Sequence, residues 1–124
     1  MKLIIGGRAQ GKLDYILQKY GLENCLVSEA ILPDEQHKTV IVNRFHDWVK
    51  ERILAEGCPE EEIMTFVEKC PECIIISDEV GNGIVPMDIF EREYRERTGR
   101  ILVELAGRAE EVVRVICGIG QRIK

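Results

Sequence analysis

No stretch of this chain approaches the roughly 20 consecutive apolar residues that a helix needs to cross a bilayer, and the opening Met1-Lys2-Leu3-Ile4-Ile5 reads as a strand rather than a signal peptide. A membrane span is therefore not expected, and a cytoplasmic location is. Excess positive charge is also lacking. Lysine and arginine total 17 against 22 acids, a formal net charge of −5, and no basic patch with interleaved aromatics accumulates. That argues against a nucleic-acid surface, so an anionic ligand would have to be held locally. The 5 cysteines are an odd set lying mostly in or beside apolar strands, which suits reduced, partly buried thiols better than a disulfide framework. Cys70-Pro71-Glu72-Cys73 has no second pair and no histidine at finger spacing, which favours a strand-entry turn over a metal site or a redox pair. Internal repeats and low-complexity segments are absent.

What is present is enough for one core. A chain of 124 residues, 45% hydrophobic, supports a single domain over 1–124. Short apolar runs at Met1-Lys2-Leu3-Ile4-Ile5, Asn24-Cys25-Leu26-Val27, Thr39-Val40-Ile41-Val42, Cys73-Ile74-Ile75-Ile76-Ser77 and Val112-Val113-Arg114-Val115-Ile116-Cys117 read as strands, the last ended by Gly118-Ile119-Gly120. Between them lie helical patterns: Lys12 to Tyr20, closed by Gly21; a helix with Phe45, Trp48, Val49 and Ile53 on one face, stopped by Gly57; and one opening at Pro59-Glu60-Glu61-Glu62, with Ile63, Phe66 and Val67 as its apolar face. A long helix places Phe90, Tyr94, Ile101 and Leu105 on its inner stripe, while Glu91 to Arg97 mostly form a solvated charged surface. Ser28 to Lys38 is polar, with a turn at Pro33-Asp34. Strands alternating with helices, several of them apolar throughout, imply an α/β fold with a mostly parallel sheet and helices on both faces.

The first strand runs straight into Gly6-Gly7-Arg8-Ala9-Gln10-Gly11-Lys12, a G-x-x-x-x-G-K string in the strand-loop-helix setting that a phosphate loop requires. Backbone N–H groups of such a loop cradle phosphate at a helix N-terminus, and the lysine reaches the terminal phosphates. The competing reading is a tight turn that uses glycine for backbone freedom alone. The nucleotide-binding candidates are thus Gly6, Gly7, Arg8, Ala9, Gln10, Gly11, Lys12 and Leu13, with Lys12 and Arg8 the cations expected at phosphate. Leu13 stands where a serine or threonine would hold Mg²⁺. It offers no oxygen, which counts against ordinary metal-assisted phosphoryl transfer. Leu13, Ile16, Leu17 and Tyr20 also fall at i, i+3, i+4 and i+7, so Leu13 has a second reading as core.

Ser77-Asp78-Glu79-Val80-Gly81-Asn82-Gly83-Ile84-Val85-Pro86 resembles the signature S-N-E-V-G-x-G-I-V-P of the bifunctional adenosylcobinamide kinase/adenosylcobinamide-phosphate guanylyltransferase family of cobalamin biosynthesis. The glycine-rich opening is similar to that family's G-G-x-x-S-G-K-S. Thr39 to Trp48 is similar to its V-L-V-D strand and following C-L-T-L-W, and Tyr94 to Arg100 with Cys117-Gly118-Ile119 and Ile123-Lys124 to its last helix and strand. The resemblance implies a P-loop NTPase-like (RecA-like) fold, GTP or ATP as nucleotide, a corrinoid (cobinamide-like) substrate and a homo-oligomer. The departures are specific: Gln10 for the loop serine, Leu13 for the Mg²⁺ hydroxyl, Asn43 for a strand-end aspartate, Leu102 and Val103 for an asparagine and glutamine. The family segment with the guanylylated histidine has no recognisable counterpart before Thr39. Together these departures point to nucleotide binding without the guanylyltransferase step and with weak or no phosphotransfer, against an alternative of an active kinase-like enzyme.

Among the polar candidates, Glu79 matches the family glutamate at a strand end, where ligands of open parallel sheets gather, and with Lys12 it is the candidate catalytic residue; its plain reading is a cap for nearby N–H groups. Asp78 stands where the family has asparagine. Either a carboxylate has been exchanged between strand ends and reaches a metal through water, making Asp78 the metal candidate, or the position has drifted. His37 and His46, each with acidic neighbours, read as ordinary exposed histidines rather than catalytic ones. Gly81 and Gly83 shape the loop after Glu79.

Overall fold

The computed structural model describes residues 1–21, 25–31, 39–80 and 88–124. The elements run β1 (Lys2–Gly6), α1 (Lys12–Tyr20), β2 (Cys25–Ser28), β3 (Thr39–Val42), α2 (Phe45–Leu54), α3 (Pro59–Lys69), β4 (Ile74–Asp78), α4 (Ile89–Arg108), β5 (Glu111–Ile116) and β6 (Ile119–Arg122). They form a six-stranded sheet in the order β2-β3-β4-β1-β5-β6. The first five strands pair in parallel and β6 is antiparallel to β5. The expected α/β fold of P-loop NTPase type is what the chain adopts. Among the described residues, no helix is long and apolar enough to cross a membrane.

Each sheet face carries its own apolar cluster because successive strand residues point to opposite sides. Leu3, Val40, Val42, Ile75 and Val112 pack against Phe45, Trp48, Val49 and Ile53 of α2, Ile63, Phe66 and Val67 of α3, and Tyr94, Ile101 and Leu105 of α4. Ile4, Ile41, Ile74, Ile76, Val113 and Val115 pack against Ile16 of α1, with Leu13, Tyr15 and Tyr20 at the margin. Helices therefore cover both faces, but unequally. The expected α1 stripe is narrower than its spacing implies: Leu17 is 38% exposed. A single short helix over the sheet sinks only its innermost turn, and Tyr15 closes the flank instead.

Two other expectations are corrected. Gly118-Ile119-Gly120 does not end the sheet, because Ile119–Arg122 returns as β6. Cys117 and Gly118 are the two turn residues between paired Ile116 and Ile119, both with positive φ (50° and 76°). That is the type I′ geometry whose twist matches a hairpin. The α4 charges are also less uniformly solvated than expected: Arg97 donates to both Glu60 oxygens (2.7 and 2.9 Å), and Lys50 to Glu91 (2.8 Å), clamping α4 to α3 and α2. Cys70 to Cys73 is a turn as expected, closed by Cys73 N–H donating to Cys70 O at 3.1 Å. All 5 cysteines are free, with Cys58 and Cys117 exposed. Burial pushes the Cys73 thiol up to about 12, which makes it inert. The turn at Pro33-Asp34, His37, and Gly81 to Pro86 of the signature lie outside the described residues.

Candidate functional site

The carboxyl ends of the neighbouring strands β3, β4 and β1 meet at one end of the sheet, where open parallel sheets place their ligands. Gly6 ends β1 so close to β5 that a Cβ there would lie 2.5 Å from the Val115 carbonyl oxygen, so glycine is required. The chain then curls through Ala9 (φ 55°) and Gly11 (φ 80°), both left-handed, into α1. No side chain caps that helix at Gly11, so its first-turn amides are left for another acceptor. Two contacts brace the loop from the β5–β6 turn. Gly118 N–H donates to Gln10 O at 2.8 Å, and Cys117 N–H donates to the Gln10 side-chain oxygen at 2.7 Å. Gln10, in the place of the family serine, thus ties the loop to the hairpin.

The loop borders a cavity of about 320 Å³ lined by Arg8 to Asp14, Asn43, Arg44, His46 and Ile76 to Asp78. Lys12 is only 8% exposed. Its Nζ donates to Gly7 O at 2.7 Å and sits 2.7 Å from Asp78 Oδ1. On the far side of that carboxylate is His46, also 8% exposed, in the first turn of α2. Its Nδ1 accepts from Asp78 N–H at 3.0 Å, and its Nε2 lies 3.3 Å from Asp78 Oδ2 and 3.5 Å from Asp47 Oδ1. An accepting Nδ1 places the neutral ring's proton on Nε2, facing the carboxylates. Burial pushes the His46 pKa down, which agrees with that neutral tautomer. Arg44, left-handed at φ 57°, caps α2 and donates Nε to Asp47 Oδ2 at 2.7 Å.

Of the residues singled out from sequence, Gly6 to Leu13 and Asp78 come together here, and Glu79 does not. Adjacent strand residues face opposite sides, so Asp78 turns to the α1 side and Glu79 to the α4 side. Glu79 lines a separate groove of about 470 Å³ with Leu3, Ile5, Val80, Leu102 and Arg114. There it accepts from Arg114 Nη2 at 3.0 Å, while its own N–H donates to Gly6 O at 2.8 Å. His46 is the residue that sequence reasoning underrated. It is buried rather than exposed, and the available signal was its place four residues beyond a strand end that faces the loop.

The donors do not fit the Mg²⁺ that phosphate loops ordinarily employ. Leu13 supplies no hydroxyl, Asn43 no carboxylate, and both Asp78 oxygens face Lys12 or His46. Among the described residues no group of three His, Cys, Asp or Glu side chains could hold a metal.

Comparison with known proteins places the chain. Residues 19–123 match the family described as cobinamide kinase / cobinamide phosphate guanyltransferase. Residues 6–12 precede that range, so the loop stands on its geometry. The bifunctional adenosylcobalamin biosynthesis protein CobU of Salmonella typhimurium is 38% identical over 73 residues, 56% of this chain and 40% of that protein. Its Escherichia coli counterpart is 39% identical over 67 residues, 51% of this chain and 37% of that protein. The matched stretch thus covers about two-fifths of each relative's length. With most of its residues in register with the family model, this chain belongs to the cobinamide kinase / cobinamide phosphate guanyltransferase family.

Proposed function

We propose that this protein, one domain over 1–124, binds the phosphates of GTP or ATP on the loop Gly6 to Leu13, with weak or no phosphotransfer and without the guanylyltransferase step. One observation carries the reading: Lys12, buried at an uncapped helix N-terminus, points its ammonium into the cavity that the loop encloses. Backbone amides and Lys12 supply anion binding without a metal. Leu13 and Asn43 remove the groups that would organise Mg²⁺ for transfer. Glu79 could act on a bound nucleotide only by leaving Arg114, so its catalytic role rests on a rearrangement.

The second reading is an active kinase-like enzyme acting on a corrinoid alcohol, and the intact Gly11-Lys12 step at the carboxyl end of the sheet favours it. A cytoplasmic homo-oligomer accords with either. Titration of GTP, ATP and GDP by calorimetry, with Mg²⁺ and with chelator, tests the proposal. Binding that persists in chelator is expected. Absence of binding at millimolar nucleotide, or complete loss on chelation, rejects it. Product analysis with cobinamide separates the second reading, and intact-mass measurement after GTP exposure detects a GMP adduct if guanylylation survives.

A further inference from the structure

The Lys12 ammonium has three N–H donors. Two are engaged, one by Gly7 O and one by Asp78 Oδ1, both at 2.7 Å. In a phosphate loop these donors are meant for the ligand, and here a carboxylate of the protein holds one of them. The pairing is well made: Lys12 is 8% and Asp78 23% exposed, so water screens it incompletely. Leu13 and Asn43 supply neither the hydroxyl nor the carboxylate with which a metal would claim the Asp78 oxygens. A second lining cation is compensated in the same manner, Arg44 by Asp47 at 2.6 Å. Of the three cations that line the cavity, Arg8, Lys12 and Arg44, the last two are thus answered from within.

His46 completes the arrangement. It grips Asp78 at both ends of the residue, accepting from its backbone N–H at 3.0 Å and presenting Nε2 to Oδ2 at 3.3 Å. With Oδ2 turned to the imidazole, Oδ1 is the oxygen left facing Lys12. Its own place is set by burial in the first turn of α2.

Building on the phosphate-binding reading above, we propose that Asp78 is a specificity-determining residue that stands in for a ligand phosphate at Lys12, positioned by His46, so that the site admits only anions able to displace a carboxylate. Pyrophosphate-bearing nucleotides, with several oxygens to place on the loop amides at once, meet that requirement. A lone weakly held anion does not.

The probe is inorganic pyrophosphate in chelator, titrated by calorimetry into the full chain and into Asp78→Asn, His46→Asn and the double variant. Asparagine at 78 keeps the shape and removes the charge. Asparagine at 46 keeps an acceptor near the Nδ1 position and removes the donor to Oδ2. Asp78→Asn is expected to bind about tenfold more tightly, about 1.4 kcal/mol. His46→Asn should give a smaller gain in the same direction, and that gain should vanish in the Asp78→Asn background. A purely structural role for His46 would persist in that background, and such persistence overturns its assignment as positioning residue. Equal or weaker pyrophosphate binding by Asp78→Asn, with the unmodified chain still binding, overturns this inference alone. Failure of every variant to bind overturns both this inference and the phosphate-binding reading. If Asp78→Asn does not fold, an unchanged affinity in His46→Asn is enough to reject the proposal.

Discussion

Replacing Leu13 by serine separates the two readings of that position. Serine restores a hydroxyl at the first residue after the loop lysine, where a P-loop enzyme would hold Mg²⁺. It also strips the isobutyl group with which Leu13 packs against the α1-side cluster. Full burial of a leucine makes its truncation cost about 2.7–5 kcal/mol; Leu13 is half-buried, which scales the expectation to about 1.5–2 kcal/mol. An unfolding entropy of about 2.1 cal/mol/K per residue over this chain converts that into a Tm lower by about 6–8 °C. Differential scanning calorimetry reads the loss, and nucleotide titration with and without Mg²⁺ reads the gain. The gain should be no more than a few-fold, because Asn43 still provides no carboxylate and Asp78 is held by Lys12 and His46. A Tm within about 2 °C of the parent would refute the packing role. A large Mg²⁺-dependent gain would show that the metal site lacked one oxygen and nothing more.

Gly6→Ala drives a Cβ to 2.5 Å from the Val115 carbonyl oxygen, a backbone atom that cannot rotate away; a loss of about 1–3 kcal/mol by urea unfolding is expected, and an unchanged midpoint would mean that β1 and β5 can part without cost. Gln10→Ala removes the acceptor for Cys117 N–H; since that amide is exposed and water can replace the bond, stability should fall by only about 0.5–1 kcal/mol, while nucleotide affinity falls several-fold as the loop loosens, and unaltered affinity would detach the hairpin from the site. Arg97 holds the Glu60 carboxyl down at about 2 from 4.5. A depressed carboxylate stabilises the fold above its unfolded pKa and loses that contribution as pH falls from about 4.5 towards 2. With Glu60 35% exposed, screening reduces the contribution to about 1 kcal/mol. The stability gap between the parent and Glu60→Gln should close over that window, and a gap constant from pH 7 to about 2.5 would contradict the pairing.

Much of the fold is legible because the apolar runs carry it. Thr39-Val40-Ile41-Val42 and the Lys12-to-Tyr20 helix with its Gly21 stop read directly as β3 and α1. The hairpin strand does not: Ile119-Gly120-Gln121-Arg122 is a mostly exposed edge with no buried face, so neither hydrophobic alternation nor strand propensity announces it. The loop was equally readable from its glycines, whereas the partners of its lysine were not. Asp78 and Glu79 are adjacent in sequence, yet only strand parity decides which one enters the cavity. His46 looks like an exposed histidine among acids until α2 is docked and buries it beside Asp78. Pairings between separate elements are products of the tertiary fold, and a single sequence displays only the residues available for them.

The brace between Gln10 and the Cys117-Gly118 turn joins residues 107 positions apart. β1 precedes β4 and β5 in the chain yet lies between them, and the register Leu3 to Ile75 and Leu3 to Val112 cannot form until both partners have emerged. The ligand loop is therefore made before the strands that fix it, in a topology whose long-range closures slow folding. A nascent chain stopped short of residue 117 would hold the entire glycine-rich motif and still lack the brace that gives the motif its shape.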